Sequence, residues 1–187
     1  MDNRTFLNFL GQIEKLKCNT RHSWTSSGRH ESVAEHSWRL AMMAYLVKDE
    51  LPELDHDKVI LMCLIHDLGE AVTGDIPTFE KTSQDEVVEN HAVAQLFSGL
   101  PEPYYTELTT LFTEMEEQQT PEAKLYKALD KLEALIQHNE ADLSTWLPLE
   151  YDLQMTYGTE ECSFCDYINR LRATVRDDSK QKMALDE

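Results

Sequence analysis

The sequence has no stretch approaching 18 uncharged apolar residues, which excludes a membrane-spanning helix. Glycine and proline are scarce, six of each in 187 residues. That scarcity argues against collagen-like, linker-rich or turn-rich many-stranded architectures. The four cysteines do not make a disulfide scaffold. A chain of this length needs none, since it can bury about 70% of its unfolded surface. Cys63 lies in the apolar run Val59 to Ile65 and reads as a small core hydrophobe. Cys162-Ser163-Phe164-Cys165 is a single C-x-x-C, without a second pair for zinc or a βαβ context for redox chemistry. Basic residues are also few, 17 Lys+Arg against 35 acids, for a net charge of −18. Such a field repels nucleic-acid backbones and anionic lipid surfaces, so the expected partner is a small molecule and neither nucleic acid nor membrane. The segment Met1 to Thr5 lacks the basic-then-apolar pattern of a signal peptide, and the expected compartment is the cytoplasm.

What is present is helical periodicity, with no credible alternating strand. Phe6, Leu7, Leu10, Ile13 and Leu16 stripe a first helix. Ser32-Val33-Ala34-Glu35 is a capping box, opening a helix that runs toward Leu51 and Pro52. Asp55 or Asp57 caps a third helix, continuing to about Val72 and ended by Gly74. Further helices fit Gln84 to Ser98, a segment from Pro101 through Met115, and one after Thr120-Pro121 striped by Leu125, Leu129, Leu132 and Ile136. A last one fits Phe164 through Val175, with the final ten residues polar and frayed. The expectation is one all-α domain of six to eight helices over residues 1–187.

Between the first two helices, Lys15 to His30 holds Lys15, Lys17, Arg21 and Arg29 with no acid. Two readings stand side by side: a chance cluster on a solvated loop, or a landing site for a small anion. The most informative residues are His66-Asp67, at the end of the apolar run of the third helix. A buried imidazole and carboxylate there need a reason. Glu70 shares their helix face. His36 is in register with Leu40, Met43 and Val47, and Asp130 interrupts the Leu129–Leu132 stripe. Two His and two Asp at inward-looking positions make a four-ligand set for a divalent cation. Mixed N/O ligation suits Mn²⁺, Co²⁺, Fe²⁺ or Zn²⁺ better than Mg²⁺ or Ca²⁺.

The pattern His36 … His66-Asp67 … Asp130 resembles the signature of the HD-domain superfamily of metal-dependent phosphohydrolases. Glu31 to Ser37, His66 to Pro77 and Lys127 to Lys131 look more narrowly like the HD-domain 5′-deoxynucleotidases, over roughly Phe6 to Asn139. The resemblance implies an all-α HD domain and removal of the 5′-phosphate from 2′-deoxynucleoside 5′-monophosphates. It implies that His36, His66, Asp67 and Asp130 hold the cation, and that Glu70 and Asp75 position or deprotonate the attacking water. Arg21, fifteen residues before His36, would clamp the phosphate. Asp75, Ile76, Pro77 and Thr78 would line the nucleoside pocket, with His36 also against the substrate. Some members carry a Trp directly after the clamp Arg. Here that position is His22, with Trp24 two residues on, and either would face the sugar. A homodimer is also implied. Residues 141–187 carry no family motif and are expected to serve dimer contacts or packing. The alternatives are another HD-domain hydrolase, acting on a small phosphomonoester or cyclic nucleotide, and a non-catalytic metal-stabilised binding module. A second metal would call on His91 and His138, which read as helix-surface histidines.

Overall fold

The computed structural model describes residues 1–185. The elements run α1 (Asn3–Ile13), β1 (Thr20–Trp24), β2 (His30–Ser32), α2 (Val33–Leu46), α3 (His56–Ile65), α4 (Glu70–Thr73), α5 (Ser83–Ser98), α6 (Tyr104–Glu117), α7 (Pro121–Glu140), α8 (Pro148–Thr156) and α9 (Asp166–Ala184), with short 3₁₀ turns between some of them. The fold is all-α: among the described residues there are eight longer helices, the single turn α4 and one small ribbon.

Helix starts follow the local chemistry. Ser32 accepts the Glu35 N–H while Glu35 accepts the Ser32 N–H, a reciprocal cap for α2. Asp55 caps α3 through the Lys58 N–H, and Thr120 caps α7 with Pro121 at its first position. Helix α7 is the axis of the molecule, packed against α2, α3, α6 and α9. Leu125, Leu129 and Leu132 are fully buried along it, facing Leu40, Val59 and Met62 among others. Each such leucine contributes about 1.5–3 kcal/mol by leaving water.

Several expectations are corrected. A strand pair does form between the first two helices: β1 and β2 pair antiparallel, and the Trp24 ring stacks on His30 opposite it at 4.1 Å. The ribbon is too short and polar to show as alternation. Helix α2 stops at Leu46 rather than near Leu51. The third helix does not reach Val72. It ends at Ile65, and the chain tightens through i+3 hydrogen bonds, Leu68 N–H to Ile65 O and Glu70 N–H to Asp67 O, into α4. Gly69 lets this turn pack closely on α5: a Cβ there would stand 2.9 Å from the Glu89 carbonyl oxygen, so only glycine allows that approach. Gly74, at φ 78°, then turns the chain out of α4. In α1 Phe9 and Ile13 pack on the core, with Leu16 just beyond the helix, while Phe6, Leu7 and Leu10 are exposed. The chain's end is not frayed as far as it is described: α9 continues to Ala184 and buries Ser179, which donates to Asn139 and Gln154. Helix α8 carried no sequence signal that we recognised.

Candidate metal centre and cavity

His66 ends α3, Asp67 follows it in the turn, His36 stands on α2, and Asp130 lies halfway along α7. These elements bring four donors to one point. His36 Nε2 lies 3.2 Å from His66 Nε2 and 3.2 Å from Asp130 Oδ1. Asp67 Oδ2 lies 3.0 Å from His66 Nε2 and 3.9 Å from His36 Nε2. The other ring nitrogens are engaged: His36 Nδ1 by the Glu133 carboxylate, and His66 Nδ1 by the Cys63 carbonyl at 2.9 Å. With both Nδ1 atoms engaged, both Nε2 atoms face inward toward two carboxylates, and buried Asp67 Oδ2 has no aligned hydrogen-bond partner among the described residues. Such a donor set favours positive charge at its centre and fits a divalent cation with N/O ligation.

The electrostatics agree. Burial and the nearby Arg21 guanidinium oppose a charged His36, yet Glu133 and Asp130 outweigh both and hold the imidazole up to about 10. Burial would raise Asp67, but His66, His36 and Arg21 hold it well below the usual carboxylate range. Asp130 is likewise held low, against burial, by Lys127 3.0 Å away and by the two imidazoles. Glu70 goes the other way: burial, with Asp67 and Asp75 beside it, pushes it up to about 10. Its Oε2 is buried and unpaired among the described residues. Burial also raises Asp75, less strongly because the His22 backbone N–H and Arg21 favour its charged form.

This cluster forms one end of a cavity of about 510 Å³. Arg21, His22, Asp67, Glu70 and Asp130 lie on its wall, as does the Asp75–Thr78 segment. Arg21 reaches in with Nη1 3.5 Å from Asp67 Oδ2 and Nε 3.5 Å from Glu31. Two expected substrate contacts are not on that wall. His36, itself one of the four converging donors, is wholly buried, and Trp24 is drawn away by its stack on His30. The basic segment divides: Arg21 and His22 face the cavity, whereas Arg29 pairs with Glu35 on the surface at 2.6 Å.

The cavity also takes residues that the sequence motifs do not include. Glu133 is fully buried, accepts from His36 Nδ1 and from Arg39 Nε at 2.6 Å, and is held down to about 2, because His36, Arg21 and Arg39 outweigh its burial. The signal was available: an acid three residues past Asp130, in a leucine stripe. Lys81, Lys127 and Lys131 add positive charge to the cavity wall, and Glu89 brings a third carboxylate beside Asp67 and Glu70 while pairing with Lys81. From the C-terminal part, Glu150, Leu153, Gln154 and Tyr157 complete the wall, so this part does more than pack. His138 also lines it, correcting its reading as a surface histidine, whereas His91 is exposed. Cys63 and Cys162 are buried, and all four cysteines are free thiols.

Comparison with known proteins agrees with this geometry. The family model described as HD domain matches residues 13–172. The human 5′-deoxynucleotidase HDDC2 is 36% identical over 141 residues, 73% of this chain and 68% of that protein. The 5′-deoxynucleotidase hdd1 of Schizosaccharomyces pombe is 31% identical over 156 residues, 74% of this chain and 78% of its own. Among solved structures, one titled a predicted metal-dependent phosphohydrolase from Magnetospirillum magnetotacticum superposes with a TM-score of 0.78 at 30% identity, covering 97% of this chain and 95% of the other. With the family model spanning most of the chain and the His36, His66-Asp67 and Asp130 donors converging at one point, the chain belongs to the HD-domain family.

Proposed function

We propose that this chain removes the 5′-phosphate from 2′-deoxynucleoside 5′-monophosphates. The observation that carries the proposal is the convergence of two inward Nε2 atoms and two carboxylates at the cationic end of a cavity large enough for a nucleotide. His36, His66, Asp67 and Asp130 would hold the cation, Mn²⁺ or Co²⁺ by ligand type, with Zn²⁺ and Fe²⁺ as alternatives. When bound, a divalent cation polarises the phosphoryl group and lowers the pKa of a nearby water.

The chain's own residues do the rest. Arg21, whose buried Nε has no hydrogen-bond partner among the described residues, would give its guanidinium to the phosphate oxygens. Lys127 and Lys131 would add attraction for a dianion entering an acidic protein. Glu70, with a free buried oxygen beside Asp67 and Asp75, would orient the attacking water. Burial and those two carboxylates otherwise keep Glu70 protonated; with the positive charge of a bound cation offsetting their push, its ionised form would take the water's proton. Asp75 would serve the leaving 5′-oxygen, held by the His22 backbone N–H. His22, Ile76, Pro77 and Thr78 would flank the sugar, and a 2′-hydroxyl would need room there.

The test is phosphate release from mono-, di- and cyclic nucleotides, deoxy and ribo, with Mn²⁺, Co²⁺, Zn²⁺ or Mg²⁺. The expected substrates are deoxynucleoside monophosphates, favoured over ribonucleotides by up to about 10²-fold, since a packed wall rejects an added hydroxyl only modestly. His22→Ala should reduce that preference and Trp24→Ala should leave it intact. Equal rates on both sugars in the wild type would reduce the activity to a general phosphomonoesterase.

We further propose a homodimer. Trp38, Met42, Tyr45 and Leu46 lie exposed along α2, with Leu61 and Leu64 exposed on neighbouring α3, an apolar face of the kind that marks interfaces. Trp38→Glu should give a monomer in sedimentation velocity. The cytoplasm is the proposed compartment.

A further inference from the structure

Helix α7 runs along the cavity. Lys127, Asp130, Lys131, Ala134 and His138 all stand on its wall, at the three- and four-residue spacing of one helix face. From Asp130 to His138 the helix rises ~12 Å, at 1.5 Å per residue. That length accommodates a phosphate, a sugar and a base laid end to end. The Asp130 end holds the metal cluster and the cations. The middle is Ala134, whose small side chain leaves the passage open.

The His138 end is polar in a way that phosphate chemistry does not explain. Three elements meet there: His138 of α7, His22 of β1 and Glu150 of α8. Glu150 is almost wholly buried, with Oε1 3.0 Å from His22 Nε2 and 3.4 Å from His138 Nε2. Its Oε2 accepts the Leu147 N–H at 2.6 Å, which fixes the carboxylate at the start of α8. His22 Nε2 has no aligned hydrogen-bond partner among the described residues. Burying a carboxylate beside two imidazoles costs desolvation, and leaving their hydrogen bonds incomplete costs more. Beside them stands Phe79, partly exposed, its ring edge-on to His22 at 5.5 Å. An apolar ring next to imidazole N–H groups and a carboxylate matches a flat heterocycle whose edge carries both donors and acceptors.

We infer that the nucleobase seats at the His22–His138–Glu150 end of the cavity, and that α8 therefore sets which base is preferred. This inference rests on the deoxynucleotidase activity proposed above and adds to it the residues that read the base.

The test compares kcat/KM for dAMP, dGMP, dCMP and dTMP with that for 2-deoxyribose 5-phosphate, which keeps the phosphate and sugar but has no base. In His138→Ala and Glu150→Gln, the preference for nucleotide over sugar phosphate should fall roughly 3- to 10-fold per hydrogen bond lost. The loss should appear in KM, and the order of the four bases should change. Glu150→Gln keeps an acceptor for Leu147, and circular dichroism on both variants verifies the fold. An unchanged preference and base order in both folded variants would overturn the base seat. So would a parallel loss on nucleotides and sugar phosphate, which would mark these residues as structural. A wild type that releases phosphate from none of the five would contradict the deoxynucleotidase activity. Deoxynucleoside binding by calorimetry, wild type against His138→Ala, would then decide the base seat, and equal affinities would overturn it.

Discussion

The two ends of the cavity are built differently. At the metal end the donors sit on or beside α2, α3 and α7, His36 is wholly buried, and each imidazole is braced by a further acceptor, Glu133 or the Cys63 carbonyl. At the far end His22, Phe79 and Glu150 come from a ribbon, a loop and a nine-residue helix, and Phe79 is partly exposed. Rigid helices with braced ligands suit chemistry, which tolerates little displacement. Short elements near the surface suit selection among similar substrates, because they can vary without disturbing the core. If the comparison holds, substitutions at the first end stop the reaction, and substitutions at the second alter only its preferences.

The largest effect belongs to the ligands. Asp67→Ala should lose bound metal and nearly all turnover while keeping its helicity, checked by metal analysis, phosphate release and circular dichroism. A metal-free Asp67→Ala protein with normal activity would remove the metal end altogether. Next, Glu70→Gln should keep the metal yet lower kcat by roughly 10²–10⁴, the usual worth of general acid–base help. Loss of metal with little other change would make Glu70 a ligand instead. Glu133 acts through His36, so Glu133→Gln should weaken metal affinity by about 10–100-fold. Titration of Co²⁺ followed by its visible spectrum checks this without turnover, and an unshifted titration would leave Glu133 only structural.

The smallest effect lies at the far end. Burial, with His22 and Arg21 nearby, pushes His138 below its ordinary value of 6.5, although Glu150 and Glu133 oppose the shift. The unfolded chain therefore binds this proton more readily than the folded one. The resulting penalty is absent above pH 6.5 and grows as pH falls below it. His138→Ala should flatten the loss of stability between pH 6.5 and 5, measured by urea melts across that range. An identical slope in both proteins would mean that His138 titrates as freely folded as unfolded.

The same contrast explains what was legible in the sequence. His66-Asp67 and Glu70 are local, and His36 and Asp130 each interrupt an apolar helical stripe, so periodicity exposes them. Glu133 interrupts the stripe of α7 in the same way and was readable by that rule. The close packing of α4 on α5 was not readable, because it depends on Glu89 of α5 approaching Gly69 across the fold. Tyr157 and Glu150 gave no signal either: their neighbours in the cavity, Lys131 at 2.6 Å from the Tyr157 hydroxyl and His22 at 3.0 Å from Glu150, are remote in sequence. Trp24 misled for a related reason, since its cross-strand partner His30 decides where the ring goes.

The central claim is that a divalent cation at the His36–His66–Asp67–Asp130 cluster is required for phosphate release. The most direct measurement is release from a deoxynucleoside monophosphate by wild-type protein dialysed against a chelator, then titrated with Mn²⁺ or Co²⁺ while metal content is followed. The account predicts no release after dialysis, and activity that returns in proportion to bound metal in the wild type but not in Asp67→Ala. Full activity in protein shown by metal analysis to carry no cation would contradict it.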